Sequence, residues 1–100
     1  MLKRSGLAVI ERNFRCRDGE IDIVARRGRL LVFCEVKTRR SDRWGLPAEA
    51  VNGVKRARLR RLAAEWMRAR RPGAVDVRFD VVSVLERDGK LVAHHIPDAF

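Results

Sequence analysis

One hundred residues make one domain, residues 1–100, and 46% apolar content is enough for a real core, which excludes wholesale disorder. The longest apolar run, Leu30 to Cys34, is five residues against the roughly 20 of a membrane helix. No basic start followed by an apolar stretch marks a secretory leader. Two cysteines, Cys16 and Cys34, cannot build a disulfide framework and lack zinc-ligand spacing, so both are expected as reduced thiols in a cytoplasmic protein.

The net charge of +10 is unevenly spread. Residues 1–36 carry +3, residues 37–71 carry +9 and residues 72–100 carry −2. An excess concentrated in 35 residues points to a polyanionic partner, nucleic acid ahead of an anionic membrane surface. A membrane-bound helix would need large apolar anchors, and those available are needed for a core.

In chain order, Val9 to Arg15 reads as a strand and Asp18-Gly19 as a turn. Glu20 to Arg27 largely alternates, with Glu20 and Asp22 on one face and Ile21, Ile23 and Ala25 on the other. Gly28-Arg29 then joins it to the β-rich run Leu30 to Lys37 as a tight hairpin. After a polar loop and Leu46 to Val51, Asn52 is a good N-cap. Leu59, Leu62, Ala63, Trp66 and Met67 form the apolar stripe of a helix that Pro72-Gly73 stops. Arg78 to Leu85 and Leu91 to Ile96 read as strands around the turn Asp88-Gly89. The order β-β-β-α-β-β predicts a mixed sheet whose third and fourth strands run parallel. With one full helix, one sheet face is expected to be poorly covered. Leu2 to Gly6 resembles the tail of a further helix closed by its glycine.

A two-residue hairpin loop opposes residues whose numbers sum to 57, so Asp22 is expected to face Glu35, and Glu20 to face Lys37, all on one side. Opposed carboxylates repel by a few tenths to about 1 kcal/mol. A divalent cation between them removes the conflict, and two carboxylates with water and phosphate oxygens suit Mg²⁺. On repulsion alone, neutralising either carboxylate should leave the metal-free protein equally stable or slightly more so. The plainer reading is a solvated strand face with a Glu20–Lys37 salt bridge.

Asp22 followed by Glu35-Val36-Lys37 resembles the Asp…Glu-x-Lys core of the restriction-endonuclease-like nuclease superfamily. Residues 13–17 (Asn-Phe-Arg-Cys-Arg), 19–25 (Gly-Glu-Ile-Asp-Ile-Val-Ala), 32–39 (Val-Phe-Cys-Glu-Val-Lys-Thr-Arg) and 47–51 (Pro-Ala-Glu-Ala-Val) resemble, more narrowly, the uncharacterised protein family UPF0102, the YraN-like proteins. Lys55 and the ending His95-Ile96-Pro97-Asp98-Ala99-Phe100 extend that likeness over essentially the whole chain. The resemblance implies an α/β fold with an α-β-β-β-α-β core and a mixed sheet, like that of Holliday-junction resolvases, the first helix largely missing from this chain. It implies a Mg²⁺- or Mn²⁺-dependent endonuclease acting on structured or branched DNA, or on RNA. The alternative is a non-catalytic nucleic-acid-binding module of the same fold.

Carried over to this sequence, the likeness makes Asp22 and Glu35 the metal carboxylates, with the Val36 carbonyl as a further ligand. Lys37 would orient or deprotonate the attacking water or stabilise developing charge, and Glu20 is counted with them as a catalytic residue. In relatives an acidic residue of a longer first helix reaches the site; Glu11, on the first strand, does not replace it. Nucleic-acid contacts are expected from Arg39, Arg40, Arg43, Trp44, Lys55, Arg56 and Arg60, with Trp44 either stacking on a base or anchoring its loop. His94 and His95 have no partner carboxylate at metal spacing and read as structural. By analogy with the resolvases, a homodimer is a further expectation.

Overall fold

The computed structural model describes residues 5–39 and 53–99. Strands β1 (Ala8–Cys16), β2 (Gly19–Arg27) and β3 (Leu30–Arg39) precede helix α1 (Gly53–Arg70), and β4 (Asp76–Arg87) and β5 (Lys90–Ile96) follow it. They form one five-stranded sheet in the order β1-β2-β3-β4-β5. Only β3 and β4 run parallel, from Leu30↔Asp76 to Arg39↔Leu85, as a crossover through α1 requires. The fold is α/β with a mixed sheet, the expected core extended by β5.

The hairpins close where turn chemistry allows. Gly28 has φ +58° while Arg29 stays at negative φ, the pattern of a type II′ turn, and Arg27 pairs with Leu30. Asp88 and Gly89 both have positive φ, the type I′ pattern, between Arg87 and Lys90. The predicted cap Asn52 lies outside the described residues.

Residues 31 and 33 of β3 face α1, where Leu31 and Phe33 pack with Ile21, Val24, Leu62, Ala63 and Trp66. The Trp66 ring meets Phe33 edge-on at 5.6 Å, and its indole N–H donates to Glu11 Oε1 at 2.9 Å. Glu11 also accepts two hydrogen bonds from Arg70, at 2.9 and 2.7 Å, so β1 is clamped to the end of α1. The apolar stripe predicted for the helix is the buried one.

The opposite face differs from expectation. It is not poorly covered: Val32, Cys34 and Ala25 are fully buried there, and Leu7 is 1% exposed. Gly6, at φ +78°, brings Leu7 onto this face, and Arg27 donates to the Ser5 carbonyl at 2.5 Å. Burial in an apolar setting, with the Asp80 carboxylate nearby, pushes the Cys34 thiol up to about 12.

A second difference concerns alternation in β2. Ile21 packs on the helix side, whereas Ile23 and Ala25 pack on the other, so the three isoleucine and alanine side chains do not share a face. The switch coincides with Asn13, which sits at φ +54° between the register pairs Arg12↔Ile23 and Phe14↔Ile21. A left-handed residue rotates the chain out of the period-two pleat, and asparagine tolerates that conformation better than most side chains. Phe14 and Ile21 are thereby turned together toward α1.

Candidate active site

Asp22 stands where β2 and β3 part, at a fork in the sheet. The β2–β3 ladder obeys the 57 rule from Arg27↔Leu30 to Ile23↔Cys34 and ends there. Beyond it Asp22 does not oppose Glu35 as a regular ladder partner. Its Oδ2 accepts the backbone N–H of Val36 at 2.8 Å. The side chain thus continues the hydrogen bonding after the strands have parted, which satisfies a half-buried amide.

The other expected cross-strand pair is absent. Glu20 is opposite Arg15 in the register and bonds its guanidinium at 3.1 Å, so no Glu20–Lys37 salt bridge forms. Lys37 reaches along its own strand to Glu35, Nζ to Oε1 at 3.1 Å. These corrections share one cause: the parted strands no longer hold residues 20–22 in register with 35–37.

The fork nonetheless gathers the expected carboxylates. Glu20, Asp22 and Glu35 line one small pocket with Arg58, over a floor of Leu59 and Leu62 from α1. Glu35 is largely enclosed, its side chain 14% exposed, and its Oε1 also accepts from Arg58 at 3.3 Å. Lys37 pairs with Glu35 and stands beside the Lys55 side chain. The contact with Lys55 raises Lys37 above the ordinary lysine value, and Glu35 adds to this against the opposing effect of burial. Lys55 is lowered, first by its contact with Lys37, then by burial.

Among the described residues no group of three or more His, Cys, Asp or Glu could enclose a metal ion. The donor set at the fork is two carboxylates, and each keeps an oxygen, Asp22 Oδ1 and Glu35 Oε2, with no side-chain partner among the described residues. That set fits Mg²⁺, which takes one or two carboxylates and keeps several waters or phosphate oxygens. Of Val36, the group engaged here is the amide.

The basic residues divide. Arg56 is exposed, and Arg60, also exposed, lies over the Phe79 ring at 5.9 Å. Lys55 is half-buried against Lys37. Arg40, Arg43 and Trp44, and the side chain of Arg39, lie outside the described residues. No described helix is long and apolar enough to cross a membrane.

Two features escaped the sequence reading. Arg58 stands three residues after Lys55 and so shares its helix face, a spacing that could have revealed it. On the other side of the sheet, His95 does have a carboxylate partner: Asp80, fully buried, meets His95 Nε2 at 2.5 Å. Asp80 also accepts from Arg78 through both oxygens at 2.8 Å and from the Asp98 amide at 2.9 Å. Burial works to raise the Asp80 carboxyl, but Arg78, the Asp98 amide and His95 outweigh it and hold it below the usual range. The reading of His95 as structural stands, as part of a clasp that fastens the chain's end to β4.

Comparison with known proteins agrees with the sequence motifs. The family model described as "Uncharacterised protein family UPF0102" matches residues 1–84. A UPF0102 protein of Beutenbergia cavernae is 54% identical over 96 residues, covering 95% of this chain and 81% of that protein. One from Streptomyces griseus is 57% identical over 97 residues, covering 95% and 82%. A more distant one, from Geobacter metallireducens, is 44% identical over 99 residues, covering 99% and 81%. On the matched length and these identities, the chain belongs to the uncharacterised protein family UPF0102.

Proposed function

We propose that this protein is a Mg²⁺-dependent endonuclease that hydrolyses phosphodiester bonds in structured or branched DNA. The observation that carries the reading is the fork itself: Asp22 and Glu35 line one pocket, with Lys37 bonded to Glu35 and facing the same helix. Asp22 and Glu35 would hold the ion, which would supply a bound water of lowered pKa and a charge to offset that of the phosphate. Lys37 holds its proton near neutral pH, so its part is a fixed positive charge beside the phosphate as negative charge develops there. Exposed Arg56 and Arg61 on α1 supply backbone contacts that do not depend on sequence.

A second reading, a nucleic-acid-binding module that cleaves nothing, is favoured by one observation. Glu35 is already neutralised by Lys37 and Arg58. A cation-satisfied carboxylate does not need a metal. Titration calorimetry with Mg²⁺ and Mn²⁺ separates the two: the endonuclease reading predicts one site, lost in Asp22→Asn and in Glu35→Gln. Nucleic-acid binding without any metal site would establish the module.

A further inference from the structure

Three cations converge on one carboxylate at the fork, and they are not equivalent. Lys37 belongs to the same strand as Glu35, and its side chain is 28% exposed. Lys55 lies beside Lys37 and acts on Glu35 through its field. Arg58 comes from a different element, α1, lines the same pocket, and its side chain remains 46% exposed while one NH2 group bonds Glu35 Oε1. A guanidinium has five N–H donors, so most of those on Arg58 stay available to a further acceptor. Among the described residues it is also the one pocket-lining cation.

A dication entering between Asp22 and Glu35 would meet this guanidinium at the same carboxylate. The two compete for Glu35 electrostatically, and a nucleic-acid phosphate at the pocket mouth offers Arg58 the replacement anion. Planar donor pairs on arginine match phosphate oxygens well.

We infer that Arg58 is a positioning residue that acts as an exchangeable counter-cation: it holds Glu35 when the site is empty and passes to a nucleic-acid phosphate when a divalent cation binds. The inference rests on the reading of Asp22 and Glu35 as metal carboxylates. Its consequence is a coupling between two ligands. Arg58 weakens metal binding in the free protein, and it lets bound phosphate strengthen metal binding, and metal strengthen phosphate binding by the same factor.

The test is Mg²⁺ titration calorimetry on the full chain, alone and with a short linear DNA duplex, for wild type, Arg58→Ala and Arg58→Lys. In the free protein, Arg58→Ala should bind Mg²⁺ about two- to fivefold more tightly, the scale of a half-exposed ion pair. Arg58→Lys should keep the wild-type affinity, since it keeps the charge. The gain in Mg²⁺ affinity on adding duplex should shrink in Arg58→Ala. Unchanged or weaker Mg²⁺ binding by Arg58→Ala, with wild type binding normally, overturns the role of Arg58 and leaves the metal site standing. A wild-type protein that binds no Mg²⁺ overturns both.

Discussion

Asp22 Oδ2 accepts the Val36 amide at 2.8 Å, so one carboxylate of the proposed metal pair also replaces a missing rung of the sheet. A carboxylate on a strand face bearing only metal would be dispensable to the fold. This one is not. Asp22→Ala leaves a half-buried N–H without its acceptor and should cost about 1–3 kcal/mol in urea unfolding without metal. Asp22→Asn retains an acceptor oxygen and should cost less. Because the strands part at Ile23↔Cys34, Asp22 is not held opposite Glu35 in the ladder, and neutralising it brings no gain from relieved repulsion.

Glu35 differs from Asp22 in depending on side chains alone. Lys37 and Arg58 both bond its Oε1. Glu35→Gln should change metal-free stability by less than about 1 kcal/mol, because both partners are partly exposed. Addition of Mg²⁺ should raise the melting temperature of wild type and of neither Asp22→Asn nor Glu35→Gln. Thermal unfolding with and without Mg²⁺ checks this.

Nucleic-acid binding should be strongly salt-dependent, with log affinity falling by about 0.9 per neutralised phosphate on B-DNA against log salt. Arg56→Glu and Arg61→Glu should weaken it and flatten the slope without unfolding the protein, as both are exposed and neither contributes to the core. Arg60→Glu is a poorer probe, because Arg60 rests on Phe79 and its loss disturbs packing. Affinity that does not change with salt would contradict the prediction.

The Asp80 clasp predicts a stability cost far from the site. Asp80→Asn should lose about 2–3 kcal/mol, below the full cost of breaking a buried pair because Arg78 keeps 22% exposure. The Asp80 carboxyl is held below its usual 3.8. A group lowered in the folded state contributes stability that is complete above its unfolded value and is lost as pH falls through the folded one. Glu11, held below its usual 4.5 by Arg70 against burial and with Trp66 assisting, acts in the same direction. Unfolding free energy should therefore fall as pH drops below about 4.5, and the drop should be smaller in Glu11→Gln.

What the chain discloses directly is what short-range rules govern. The Gly28-Arg29 loop sets the 57 register, and the stripe from Leu59 to Met67 sets which side of α1 is buried. What it hides depends on single backbone angles or distant partners. The reversal of faces in β2 coincides with Asn13 at φ +54° on the neighbouring strand, and nothing in a period-two pattern signals it. Arg58 on Glu35 joins positions 23 apart, and the hydrogen bond from Trp66 to Glu11 joins positions 55 apart. His95 finds Asp80 because β4 and β5 pair Val82 with His95, a register that places position 95 near position 80.

Whether the fork between β2 and β3 cleaves phosphodiester bonds is decided by an end-labelled four-way DNA junction. Wild type should cleave the junction when Mg²⁺ is added and not in chelator. Asp22→Asn should be inactive, and Lys37→Ala should still bind the junction while cleaving it about 100- to 1,000-fold more slowly, since that charge is needed most in the transition state. No cleavage by wild type with Mg²⁺ or Mn²⁺, or cleavage that persists in Asp22→Asn, would contradict the account.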